Sequence, residues 1–255
     1  MRIAIVSDIH GNLLALEAVI TDIKQHKPDL IVNLGDCVSG PLWPKETCDL
    51  LRSLNWPTVL GNHDRQVGVD DPKYMGASDR FAYEKLNDYD RKWLCQRSII
   101  YPIGESILTC HGTPFSNTDY LIEEIEDGKL VQSKPDVIAK RLGTFGVAKW
   151  PANAPALILC GHSHIPSKIR ISEKQLVVNV GSVGLPAYDD TLADGTFYVS
   201  ETGSPNARYA IINEAGHNLE VELQSVAYDH EKAAVQAENN GRHDWAIALR
   251  TGRMR

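Results

Sequence analysis

The chain has no apolar run near the roughly 18 residues a membrane span requires, no Cys-x-x-Cys pair and no surplus of positive charge. The first absence argues against a membrane protein. The apolar start RIAIV runs straight into Ser7-Asp8, too short and too polar for a signal-peptide core. Five cysteines, at 37, 48, 95, 110 and 160, are odd in number and suggest neither a disulfide framework nor a thiolate zinc site. A reducing cytoplasm is the expected location. A formal charge of -7 speaks against a basic face for a stable nucleic-acid partner, though not against a small nucleotide. Repeats, low-complexity tracts and Pro/Ser linkers are also missing, so residues 1–255 are expected to form one domain.

What is present suits a sizeable core: 255 residues, 43% of them apolar and 23% charged. The first 60 residues alternate. RIAIVS reads as a buried strand, and Leu13, Leu16, Ile20 and Ile23 mark one helix face, stopped at Lys27-Pro28. LIVNL is a second strand, 44–54 a helix with Pro44 at its first position, and 57–61 a third strand. That alternation predicts a parallel sheet with crossovers. Residues 65–98 read as helical in part, with Trp93 and Leu94 as core anchors. Strands follow at 105–110, 156–160, 167–172 and 175–180, with two helices expected over 118–142, broken near Gly128. Residues 207–212 and 219–226 alternate as half-buried strands, and 196–211 suggests a hairpin. Two helices, separated by Gly241, end the chain. One domain of two sheets with outer helices fits best.

Five places share a pattern in which an apolar strand runs out into ligand-type residues: VSDIHG (Asp8, His10), NLGDC (Asp36), VLGNHD (Asn62, His63, Asp64), LTCHG (His111) and LCGHSH (His162, His164). Carboxyl ends of strands are where parallel α/β sheets build sites. Taken singly, Asp8 could be a helix cap, Asn62 a turn residue and His111 a bystander. Together they hold five of the nine histidines; His26, His217, His230 and His243 fall in segments read as solvent-exposed. Aspartate and asparagine oxygens with imidazoles and no thiolate suit Mn, Fe, Zn, Ni or Co. Seven candidates are too many for one ion and right for two sharing a carboxylate. Two such ions activate a shared water and clamp the oxygens of an in-line phosphoryl displacement.

The series DxH, GD, GNHD, HG and GHSH, in this order over the first 165 residues, resembles the calcineurin-like metallophosphoesterase superfamily. The resemblance implies an α/β fold, a four-layer α/β/β/α sandwich of two mixed sheets flanked by helices. It implies one metal on Asp8, His10, Asp36 and His164, and a second on Asp36, Asn62, His111 and His162, with Asp36 bridging. His63 would be the catalytic acid, with Asp64 orienting it. The protein phosphatase branch follows GD with Asp-Arg-Gly, whose arginine contacts phosphate. This chain has Ser39-Gly40-Pro41 and no arginine there, and is similar instead to the small YfcE-like phosphodiesterase branch. VNVGSVGLP and DWAIALRTG extend that similarity.

Other features carry plainer readings. Arg65 reads as a solvent-exposed arginine, with replacement of the phosphate contact as the alternative. Cys37, Cys110 and Cys160 read as small buried hydrophobes rather than an oxidation switch. Residues 188–195 fit either a pocket rim or a surface hairpin. Trp43 and Trp150 read as core or rim packing, with nucleobase stacking the other reading. The expected activity is a dinuclear-metal phosphodiesterase acting through a bridging hydroxide on small nucleotide-type substrates, cyclic nucleotides or dinucleoside polyphosphates. The alternatives are a serine/threonine-type protein phosphatase and a non-catalytic protein-binding scaffold of the same fold.

Overall fold

A strand that buries both faces can hold two sheets apart, and the first strand does this. The computed structural model describes residues 1–143, 154–216 and 218–255. In chain order, Arg2–Val6 (β1) leads to Leu13–His26 (α1), Leu30–Asn33 (β2) and Pro44–Leu54 (α2). Three short helices follow: Asn62–Val69 (α3), Ala77–Lys85 (α4) and Asp88–Cys95 (α5). Then come Ile100–Ile103 (β3), Ile107–Cys110 (β4), Glu123–Glu126 (β5), Lys129–Gln132 (β6) and Pro135–Leu142 (α6). Leu157–Cys160 (β7), Ser167–Ser172 (β8), Gln175–Asn179 (β9), Ala187–Thr191 (β10) and Phe197–Glu201 (β11) continue the chain. Ala207–Ala215 (β12), Asn218–Val226 (β13), His230–Asn239 (α7) and His243–Thr251 (α8) complete it.

Two mixed sheets, in the orders β13-β12-β1-β2 and β3-β4-β7-β9-β8, face each other. Successive side chains of a strand point to opposite faces. Ile3 and Ile5 therefore join Leu157, Leu159, Val178 and Ile212 between the sheets. Ala4 and Val6 turn outward onto Leu16, Val19 and Ile23 of α1 and Leu51 of α2. Across the molecule, Leu108, Ile158 and Val177 turn outward onto Ile138 and Leu142 of α6. The layering is α/β/β/α, as the resemblance implied. α1 is capped by Asn12, which accepts the Ala15 N–H at 3.2 Å. It ends on Lys27 in the left-handed region, next to Pro28.

Four expectations need correction. Residues 118–142 contain one helix, α6; ahead of it β5 and β6 pair as a hairpin around Asp127-Gly128, both at positive φ. Asp-Gly with two positive φ values is the signature of a tight hairpin turn, and it overrides the helix preference of the glutamates. β11 pairs with β10 and β6 rather than with β12, giving a third sheet, β10-β11-β6-β5, beside the two expected. Residues 57–61 reach only one parallel bridge, Asn33 to Thr58. Among the four other histidines His243 is exposed, but His26 and His230 are half-buried against the rings of Tyr209 and Tyr228. His217 and Trp150 lie outside the described residues. Trp43 is half-buried against the apolar cluster of α7 and α8, the packing reading.

Candidate active site

All five strand-end motifs arrive at one place. Asp8 and His10 follow β1, Asp36 follows β2, Asn62, His63 and Asp64 open α3, His111 follows β4, and His162 and His164 follow β7. His164 Nε2 lies 3.3 Å from Asp8 Oδ1 and 3.1 Å from His10 Nε2. His111 Nε2 lies 3.1 Å from Asp36 Oδ2 and 3.0 Å from Asn62 Oδ1. Asp8, His10 and His164 form one group of potential ligand atoms within 4.8 Å of one another, and Asp36, His111 and His162 form a second.

The backbone is bent to do this. Asp8, His10, Asp36, His162 and His164 all have φ between 50° and 69°, and they are five of the eight described non-glycine residues at positive φ. Each left-handed residue costs roughly 1–2 kcal/mol, and strain of this kind gathers where surrounding structure holds it for function. Close approach adds a second demand. A Cβ on Gly61 would overlap Oδ1 of Asp36, and one on Gly161 would overlap Ser7 Oγ.

Second partners set the ring tautomers. Nδ1 of His10 bonds the Ser39 carbonyl (2.8 Å), Nδ1 of His111 that of Leu34 (2.9 Å), and Nδ1 of His164 that of Leu185 (2.7 Å). His162 is reversed, with Nε2 at 3.0 Å from the Thr118 carbonyl, which leaves Nδ1 for the site. Carbonyls can only accept, so these bonds place a proton on the outer nitrogen, and a neutral ring then keeps its lone pair inward. Lone pairs of His10 and His164 then face each other, and both face carboxylate oxygens. Asp8 Oδ1 is buried and has no hydrogen-bond donor. Acceptors converging on acceptors fit bound cations.

Ionisation follows the same geometry. Burial and the neighbouring His164 lower His10 to about 4, and burial with His111 lowers His162 to about 3, so both are neutral at pH 7. Burial opposes charge on Asp8, yet His164 and His111 hold it at about 2, and His111 likewise holds Asp36 far down. His111 is raised against its burial to about 9 by Asp36; a bound cation would displace that proton.

The two expected catalytic residues separate. His63, one-third exposed, carries Asp79 Oδ1 at 2.7 Å from its Nδ1. Asp79 and the more distant Asp36 raise it to about 10 in spite of burial. Asp64 does not touch that ring. Its carboxylate accepts the backbone N–H groups of Asp36 and Cys37, both at 2.9 Å, and of Gly61 at 3.3 Å. Asp64 therefore ties the Asp36 loop to the start of α3, and the orienting contact expected of it belongs to Asp79.

Above these groups lies a cavity of about 370 Å³, with walls that include Tyr120, Tyr188, Asp189, Asp190, Arg242 and Trp245. Arg242 is the one Lys or Arg among the described wall residues. Its guanidinium is engaged by Asp244, with Nη2 to Oδ2 at 2.6 Å, and by Ser78 Oγ at 2.8 Å. Residues 188–190 are thus both strand β10 and cavity wall. Arg65 sits outside the cavity, half-buried rather than fully exposed as expected, and 3.7 Å from Asp70. Cys37, Cys110 and Cys160 are buried, and burial raises their thiols, as expected of inert packing. Sequence reasoning missed Asp79 and Arg242, which stand in α4 and at the start of α8 with no motif to mark them, and it gave Trp245, inside the DWAIALRTG stretch, no place at the site.

The profile of the calcineurin-like phosphoesterase family matches residues 1–169. An uncharacterized protein of Methanocaldococcus jannaschii is 29% identical over 95% of this chain and 94% of its own length. The crystal structure of a metallophosphoesterase from Sphaerobacter thermophilus superposes with a TM-score of 0.73 at 25% identity, covering 99% of this chain and all of that one. A hypothetical protein of Pyrococcus horikoshii gives 0.74 at 19% identity, covering 99% and 98%.

Proposed function

Because the chain belongs to the calcineurin-like phosphoesterase family, and so is a hydrolase of phosphoester bonds, we propose that it is a two-metal phosphodiesterase for small nucleotide-type substrates. The observation that carries this is the convergence of ring nitrogens of His10, His111 and His164 on oxygens of Asp8, Asp36 and Asn62, with lone pairs of His10 and His164 turned inward and a His111 proton that a bound cation would displace. Asp8, His10, Asp36 and His164 would hold one divalent metal, and Asp36, Asn62, His111 and His162 the other. When bound, the pair supplies an activated water and a clamp on the phosphoryl oxygens. Mn, Fe, Zn, Ni and Co all match the donor set.

The chain's own residues do the rest. His63 lines the cavity beside the clusters, placed to give a proton to the leaving oxygen. Asp64 fixes the Asp36 loop. Tyr120, Tyr188 and Trp245 offer ring faces to a base. Asp189 and Asp190 repel added negative charge, and Arg242 is already paired, so monoanionic diesters such as cyclic nucleotides rank above dinucleoside polyphosphates. Walls from β10 and α8 close a site built by the first 165 residues, in keeping with one domain over 1–255.

The test is a panel of phosphomonoesters, cyclic nucleotides, dinucleoside polyphosphates and bis(p-nitrophenyl) phosphate with each metal, metal content being measured alongside. Turnover of diesters with about two metals per chain is expected. A folded, metal-loaded sample that hydrolyses no ester would sink the proposal.

A further inference from the structure

Asp79 belongs to none of the five motifs, yet it is nearly fully buried in the first turn of α4 beside the cavity. Its Oδ1 accepts from two directions: His63 Nδ1 at 2.7 Å and Ser39 Oγ at 2.6 Å. Ser39 lies in the same loop as Asp36, and its carbonyl bonds the His10 ring. From the other side, Arg242 at the start of α8 donates to Ser78, the neighbour of Asp79. Asp79 is thus held by the metal-site loop and by the C-terminal helix at once.

We propose that Asp79 is a positioning residue for His63, taking its Nδ1–H so that the ring plane is fixed and Nε2 faces the cavity, with Ser39 aiming the carboxylate. Among the described residues no other group hydrogen-bonds the His63 ring, so without Asp79 a one-third-exposed imidazole would turn freely about its side-chain bonds. When the ester bond breaks, the Nε2–H proton passes to the departing oxygen. The ring keeps its Nδ1 proton on Asp79 and loses one positive charge. The catalytic consequence rests on the phosphodiesterase reading; the positioning itself does not.

Leaving-group dependence separates positioning from simple stabilisation. An alkoxide needs a proton as it departs, and a p-nitrophenolate hardly does. Asp79→Ala is expected to lower kcat roughly 10²-fold on the alkyl-leaving diester best turned over, and less than about tenfold on bis(p-nitrophenyl) phosphate, with KM within about twofold. Ser39→Ala shifts the ratio in the same direction by less. In a His63→Ala background, Asp79→Ala should add nothing further, because the two act as a unit. Equal losses on both leaving groups, or additive losses, would overturn the assignment. Independently of turnover, proton NMR of the whole protein should show a hydrogen-bonded, slowly exchanging His63 Nδ1–H that Asp79→Ala removes. If that signal is missing, or survives the substitution, the positioning role is wrong even in an active enzyme. If wild type hydrolyses nothing while the signal behaves as expected, the function fails and the positioning stands.

Discussion

The two halves of the cavity are built in different ways. Its floor comes from turns at strand ends, where five residues are locked at positive φ and the imidazoles of His10, His111, His162 and His164 are each fixed by a backbone carbonyl. Its walls come from α4, β10 and α8, where side chains such as Arg242 and Asp190 are held by other side chains. A floor fixed by backbone tolerates no adjustment and suits chemistry that is the same for every ester. A wall fixed by side chains can be altered one residue at a time and suits selection of the group the ester carries. If this division holds, floor substitutions should abolish turnover of all substrates alike, and wall substitutions should change only their order.

Asp36→Ala is the severest test. It removes the oxygen that faces both His10 and His111. On the proposed two-metal reading, paired metals would supply several kcal/mol of charge stabilisation, so every ester should lose roughly 10³-fold or more, with metal content falling in parallel. A variant that loses one substrate class and keeps another would erase the contrast between floor and wall.

Asp64→Asn attacks the floor through stability. The amide offers one acceptor where the carboxylate offers two, so one of the N–H groups of Asp36, Cys37 and Gly61 is left buried and unpaired. Such a group costs about 1–3 kcal/mol. Thermal or urea unfolding should show that loss, and all substrates should slow together.

Glu123, at the start of β5, tests what lies behind the floor. It is buried, its Oε1 has no hydrogen-bond partner, and burial raises it from 4.5 to about 7 although Ser163, between His162 and His164, partly relieves it. The folded chain therefore keeps a proton that the unfolded chain releases, and stability falls as pH rises from 4.5 to 7. Glu123→Gln should stabilise by on the order of 1–2 kcal/mol at pH 8 and by little below pH 4.5, read from melting temperatures across that range. A gain independent of pH would mean that packing, not ionisation, sets the cost.

The same contrast explains what the sequence disclosed. Asp8, His10, Asp36, His111 and His164 were legible because a buried strand stops abruptly and the donors follow within a few residues of its end, so their convergence needs only the order of strands in a sheet. Asp79 and Arg242 were not, because helix packing brings them to the cavity and their own surroundings in the sequence are ordinary helix. Residues 123–132 misled for a local reason: glutamates favour helix, and the Asp127-Gly128 turn signal outweighs them once β6 finds β11. Asp64 misled more subtly. A carboxylate next to His63 suggests a partner, but successive residues of α3 point in different directions, and Asp64 turns back to the N–H groups of its own helix start and of the Asp36 loop.

The smallest expected effect belongs to the wall. Asp189 and Asp190 line the cavity from an exposed stretch of β10, and no lysine or unpaired arginine among the described wall residues offsets them. The Asp189→Asn/Asp190→Asn double variant keeps side-chain size and leaves an oxygen on residue 190 for the Tyr198 hydroxyl. Dinucleoside polyphosphates bring several negative charges past this wall, and a cyclic nucleotide brings one. At low ionic strength kcat/KM for the polyphosphate should therefore rise a few-fold, on the scale of exposed charge interactions. The value for the cyclic nucleotide should barely move. Near 1 M salt, where the screening length is about 3 Å, the difference should vanish. A rise shared by both substrates, or one that survives salt, would show that β10 shapes the cavity rather than charges it, and selection would then have to be sought among the rings of Tyr120, Tyr188 and Trp245.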